Sequence, residues 1–134
     1  MNPYFNEVNK KFGFGCMRLP MKGGEVDVEE MNSMVDTFLE NGFNYFDTAH
    51  GYLGGKSETA VRECLTSRYS RDKYILTDKL TNFFFKKQED IRPFCEQQLK
   101  ACGVECFDFY LMHAQSTENF AFSNAVRLMR LRFN

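Results

Sequence analysis

At 134 residues, with 43% hydrophobic and 26% charged residues, the chain has the length and balance of one soluble globular domain with its own core. A net charge of −1 and a pI near 6.1 argue against a nucleic-acid or anionic-membrane binder, and no apolar run approaches the roughly 20 residues of a membrane-spanning helix. Five cysteines (Cys16, Cys64, Cys95, Cys102, Cys106) without a C-x-x-C argue against a disulfide scaffold and predict reduced, mostly buried thiols.

Residues 12–19, F-G-F-G-C-M-R-L, read as a short strand ended by Pro20 and the Gly23-Gly24 pair. Asp27 offers an N-cap, with Glu30 three residues on as its capping-box partner. Residues 28–40 then place Val28, Met31, Met34, Val35, Phe38 and Leu39 on one helical face. Asn41-Gly42 closes that helix, and residues 43–49, F-N-Y-F-D-T-A, form a second strand. The pattern repeats. A helix over residues 56–69, opened by Ser57, precedes a third strand at 74–80; a helix over 88–102, closed by Gly103, precedes a fourth strand at 107–114.

Gly15, Asp47, Lys79 and His113 fall 32, 32 and 34 residues apart, at the ends of these four strands. That spacing suits a strand, a crossover helix and two loops per unit, which is what parallel pairing requires. Runs such as Tyr74-Ile75-Leu76 and Phe109-Tyr110-Leu111 suit strands covered on both faces. The expected class is α/β, with about four parallel βα units.

Asp47, Tyr52, Lys79 and His113 carry the chemistry. Carbonyl reduction needs a hydride on carbon and a proton on oxygen, the latter from a weak acid within hydrogen-bond reach. A tyrosine is a poor donor at neutral pH unless a cation nearby favours its phenolate. A lysine supplies that cation, and a carboxylate keeps the lysine charged and in place. Tyr52, Lys79 and Asp47 fit those roles, while His113 could orient the substrate oxygen or join the proton relay. His50 and His113 lack a supporting Cys or carboxylate cluster, so no metal site is expected; His50 is placed at the pocket rim.

The chain resembles the N-terminal half of an aldo-keto reductase. G-F-G-C-M-R-L-P at residues 13–20, N-Y-F-D-T-A-H-G-Y at 44–52, G-K-S-E at 55–58, T-D-K at 77–79 and Y-L-M-H at 110–113 carry the resemblance, in the family's order and spacing. It implies a TIM (β/α)8 barrel, NADPH as hydride donor, a small-molecule carbonyl substrate, and Tyr52 as general acid supported by Lys79, Asp47 and His113. Gly15, Cys16 and Met17 match positions that line the nicotinamide side of the pocket, together with Asp47.

A complete barrel of this kind takes roughly 250 residues, so the expectation is a partial barrel over residues 1–116 with a divergent, helical tail over 117–134. In that tail Phe122, Ala125, Val126, Met129 and Phe133 share a helical face, and Arg127, Arg130 and Arg132 are the only charges beyond residue 119. Three arginines do not make a membrane anchor. Exposed edge strands predict self-association, two copies closing one barrel. Two readings stand side by side: a cytoplasmic NADPH-dependent reductase, and an inactive barrel fragment that acts through self-association or a protein partner.

Overall fold

Parallel pairing decides the architecture. In the computed structural model, which describes residues 6–118, the elements in chain order are β1 (Gly13–Gly15), β2 (Met21–Lys22), β3 (Glu25–Val26), α1 (Val28–Glu40), β4 (Tyr45–Asp47), α2 (Lys56–Val61), β5 (Ile75–Thr81), α3 (Gln88–Cys102) and β6 (Phe109–His113). The strands β1, β4, β5 and β6 form one parallel sheet in that spatial order. The four expected parallel strands and the three crossover helices between them are therefore present among the described residues. The tail from residue 119 onward, with its expected amphipathic helix, lies outside the described residues.

Helices α1 and α3 have the expected bounds. Asp27 caps α1 by accepting the Glu30 N–H at 3.2 Å, and Met31 and Val35 are fully buried beneath the sheet. Met34, expected on the same face, is 41% exposed. It lies one helical step beyond the stripe that the sheet covers.

Two expectations are corrected. The first strand does not run over residues 12–19. It stops at Gly15, and a β2–β3 hairpin follows, turning at Gly23 and Gly24 with φ of +61° and +84°. A two-residue Gly-Gly loop is the sequence signal for a hairpin turn with positive φ at both central positions. Ser57 does not cap α2. Gly55 occupies the cap, and the Ser57 hydroxyl instead donates to the Cys16 carbonyl at 2.8 Å and lies 2.8 Å from the Thr48 hydroxyl. The helix then continues through a wider turn over Arg62–Thr66.

The core lies between the sheet and the helices. Phe46 and Leu76 from the sheet meet Met31, Val35, Val61 and Leu65 from the helices, all fully buried. The abundance of phenylalanine has a visible use here: Phe38 packs against Phe14, Phe43 and Phe46 with ring centroids 5.0–5.4 Å apart. A second cluster, Leu80, Phe85, Ile91 and Phe94, seals α3 onto β5. Each fully buried side chain of this size contributes about 1.5–3 kcal/mol through removal from water. Cys16, Cys64, Cys95 and Cys102 are free thiols within this layer, whereas Cys106 is exposed and packs against no core. Among the described residues, no helix is long and apolar enough to cross a membrane.

Candidate active site

The sheet register brings the candidate residues to one rim. Asp47 lies opposite Thr77, Lys79 is two residues further along β5, and His113 lies opposite Thr81. Side chains alternate across a strand, so Thr77, Lys79 and Thr81 share one face, with Asp47 and His113 beside them. The other face, with Leu76, Asp78 and Leu80, meets the helices.

Lys79 is the hub. Its ammonium donates to Asp47 Oδ1 at 2.5 Å and to the Thr48 carbonyl at 2.8 Å. It also lies 4.8 Å from the centre of the Tyr52 ring, close enough for a cation–π attraction. Burial pulls the lysine pKa down, but hydrogen bonds to Asp47 and Tyr52, and their charges, outweigh it and hold Lys79 above its ordinary value. The group stays an ammonium at neutral pH.

Tyr52 is carried by the loop that β4 feeds. That loop closes in a tight turn over Tyr52–Gly55, in which Leu53, Gly54 and Gly55 take φ of +52°, +64° and +94°. Three successive left-handed residues reverse the chain sharply enough for α2 to begin at once and for the tyrosine to return over Lys79. His113 stands edge-on to Tyr52, with ring centroids 5.9 Å apart and planes at 89°. Its Nδ1 is 2.8 Å from the Thr81 hydroxyl. Burial, then the Lys79 charge, pushes the imidazole pKa below its ordinary value, against a smaller opposing pull from Asp47. His113 is therefore neutral at pH 7.

The structure thus brings Asp47, Tyr52, Lys79 and His113 together. The residues expected near a nicotinamide separate. Gly15 opens on free space, and Met17 is 52% exposed. The Cys16 thiol is fully buried in the helix–sheet core, where burial and the Asp47 charge push its pKa up to about 12. The main chain of Cys16 is engaged within the protein as well: the N–H donates to the Asp47 carbonyl at 2.8 Å, and the carbonyl accepts from the Ser57 hydroxyl at 2.8 Å. His50, expected at the rim, lies on the helix side instead. Its ring sits between Phe84 and Phe94, with Nδ1 2.9 Å from Glu58 Oε2. Sequence reasoning missed that buried layer. Its only signal was an acidic residue, Asp78, at an alternate position of a strand covered on both faces.

A parallel sheet with helices on one face and ionisable groups at the C-terminal rim defines the (β/α)8-barrel class of α/β protein, of which the described residues supply four strands and the three helices that connect them. Residues 11–122 match the Aldo/keto reductase family, and the chain belongs to that family. Among relatives, the 4-dihydromethyl-trisporate dehydrogenase of Mucor mucedo is 33% identical over 106 residues, covering 75% of this chain and 30% of that protein. The norsolorinic acid reductase of Aspergillus flavus is 43% identical over 58 residues, 43% of this chain and 15% of that protein. Among solved structures, the holo form of an aldo-keto reductase from Bacillus halodurans aligns with a TM-score of 0.66 and 28% identity, over 81% of this chain and 37% of that one. An aldo-keto reductase from Klebsiella pneumoniae, solved in complex with NADPH, aligns at 0.63 and 24%, over 78% and 35%, and shows the shared fold. The chain covers less than half the length of each of these proteins.

Proposed function

We propose that this chain carries the proton-donating half of a carbonyl reductase acting on a small-molecule aldehyde or ketone. The observation that carries the reading is the contact of the Lys79 ammonium with both Asp47 and the Tyr52 ring at the strand rim. Tyr52 is the general acid: its phenolic proton passes to the carbonyl oxygen as that oxygen gains negative charge. The Lys79 ammonium stabilises the phenolate left behind, and Asp47 holds that ammonium in place. Neutral His113 offers a ring nitrogen to orient the substrate oxygen. Positioned acid catalysis of this kind is worth about 10²–10⁴-fold in rate.

A nicotinamide cofactor, NADPH by family membership, would supply the hydride when bound. The residues fit its reactive end: Gly15 faces open space, Met17 is exposed, and Asp47 adjoins the lysine. These three would hold that end. The test is nicotinamide fluorescence on titrating NADPH into the purified chain, followed by aldehyde-dependent oxidation. Saturable binding with oxidation is expected; absence of binding removes the reading.

A second reading has its own observation. Strands β1 and β6 are the edges of the sheet among the described residues, and a groove of about 540 Å³ runs along β1 and α1, lined by Phe12, Phe14, Met34 and Phe38. Unpaired strand edges and an apolar groove favour association. In this reading two copies close one barrel, with or without turnover.

A further inference from the structure

Strand β5 outruns β4. The last β4 residue, Asp47, pairs with Thr77, while β5 continues to Thr81. Odd-numbered residues of β5 turn their main chain toward β4: the Ile75 N–H donates to the Asn44 carbonyl at 2.8 Å, and the Thr77 carbonyl accepts from the Thr48 N–H at 2.9 Å. Lys79 comes next on that side, beyond the end of the pairing. Its N–H donates to Asp78 Oδ1 at 2.7 Å, and its carbonyl accepts from Gln98 Nε2 at 3.1 Å. Side chains have taken over the work of a neighbouring strand, satisfying groups that burial would otherwise leave unpaired.

Gln98 is fully buried and reaches in from α3. The same Nε2 lies 3.0 Å from Asp78 Oδ1 and 3.1 Å from Glu58 Oε1, while its Oε1 accepts from the Tyr110 hydroxyl at 2.5 Å. Glu58, buried on α2, reaches His50 with its other oxygen, and the Cys102 thiol lies 3.8 Å from Asp78 Oδ2. Two helices and two strands therefore converge directly beneath the residue that carries the ammonium. The proton-transfer chemistry uses none of these groups.

We propose that Gln98, Asp78 and Glu58 are positioning residues that fix the main chain of Lys79, so that its ammonium meets Asp47 and Tyr52. The proposal rests on the reading of Lys79 as part of the proton-donating site. A lysine side chain is long and rotamer-rich, so the place of its ammonium depends on how firmly its Cα is held. The cluster supplies that hold on the side where the sheet does not. Burial, followed by the Glu58 charge, pushes the Asp78 carboxyl up to about 8, so the cluster carries a proton at neutral pH. Asparagine at 78 then copies the protonated acid, keeping the acceptor for the Lys79 N–H. Methionine at 98 keeps the bulk of glutamine and removes its donors.

Competitive acylation of lysine amines at pH 7 in the full 134-residue chain tests this, with Lys79 scored against Lys56 by mass spectrometry and folding followed by circular dichroism. Lys56 is the internal control because its ammonium donates to Gly24 and Glu25 and to no group of the cluster. Gln98→Met should raise the Lys79-to-Lys56 ratio about tenfold, the equivalent of one lost hydrogen bond, with the spectrum retained. Asp78→Asn should leave the ratio near wild type. A folded Gln98→Met chain that labels as wild type overturns the proposal, as does an Asp78→Asn chain that labels like Gln98→Met. Amide exchange in the wild type covers the case in which Gln98→Met does not fold. The Lys79 amide should exchange at least about a hundredfold below its intrinsic rate, and free exchange overturns the proposal. Labelling needs no turnover, so a chain with the expected pattern and no carbonyl reduction counts against the reductase reading alone.

Discussion

At the scale of single residues, contacts with their neighbours set the states of Lys79 and His113. His113 gives the most direct check, because burial and the Lys79 charge both act to keep it neutral. Its imidazole should titrate by NMR with a midpoint below 6.5, and Lys79→Met should move that midpoint upward. The sign for stability follows. The unfolded chain takes up the proton near pH 6.5 and the folded chain only lower, so His113 costs stability as pH falls below about 6.5. Asp78 acts in another window. The folded chain keeps its proton to about pH 8, whereas the unfolded chain releases it near 3.8. The contribution is complete below about pH 4 and drains away as pH rises toward 8. Urea denaturation at pH 6 and pH 9 should show Asp78→Asn flattening that decline; a slope unchanged by the substitution contradicts the shared proton. Of these groups, Asp47, Tyr52, Lys79 and His113 were readable from spacing and chemistry alone. Gln98 and Glu58 were not, since a glutamine and a glutamate on amphipathic helices look solvent-facing until the sheet is placed under them.

At the scale of elements, local signals and tertiary demands divide the outcome. Helix α3 begins and ends where the apolar period and Gly103 predict, and α1 follows its Asp27 cap. Strands β1 and β4 came out shorter than the apolar runs, because residues flanking them serve turns and the rim rather than the ladder, whereas β5 kept its full length one residue further along. Ser57 shows why cap reading failed at α2: its hydroxyl is worth more to the Cys16 carbonyl, which no strand satisfies, than to its own helix. The turn that returns Tyr52 over Lys79 relies on left-handed backbone at Gly55, φ +94°. Gly55→Ala should therefore cost roughly 1–2 kcal/mol, read as a lower denaturation midpoint, and an unchanged midpoint would show the turn relaxing without strain. Phe46, fully buried on β4, packs edge-on against Phe38 and joins α1 to the sheet. Phe46→Ala should cost about 3–5 kcal/mol by chemical denaturation.

At the scale of the whole molecule, the sheet has, among the described residues, two edges and a partly exposed inner face. Leu111, on β6 beside the site, is 43% exposed, and Phe12, at the mouth of the β1 groove, is 67% exposed. A parallel sheet is stable when both faces are covered, so the chain should associate. Sedimentation equilibrium is expected to give a mass of at least twice the 15.7 kDa of one chain; a clean monomer at micromolar concentration contradicts closure by a second copy. The parallel class and the four strands were legible because the period near 32 residues is set by the length of a strand, a crossover and its loops. What covers the edges was not, since no pattern within a strand records its partner. The most direct test of the central claim, that Lys79 and Tyr52 form a working proton donor, is the initial rate of NADPH oxidation with an aldehyde for the wild-type chain and for Tyr52→Phe. The account predicts a measurable wild-type rate that falls by about 10²–10⁴-fold in the variant, and equal rates in the two chains would contradict it.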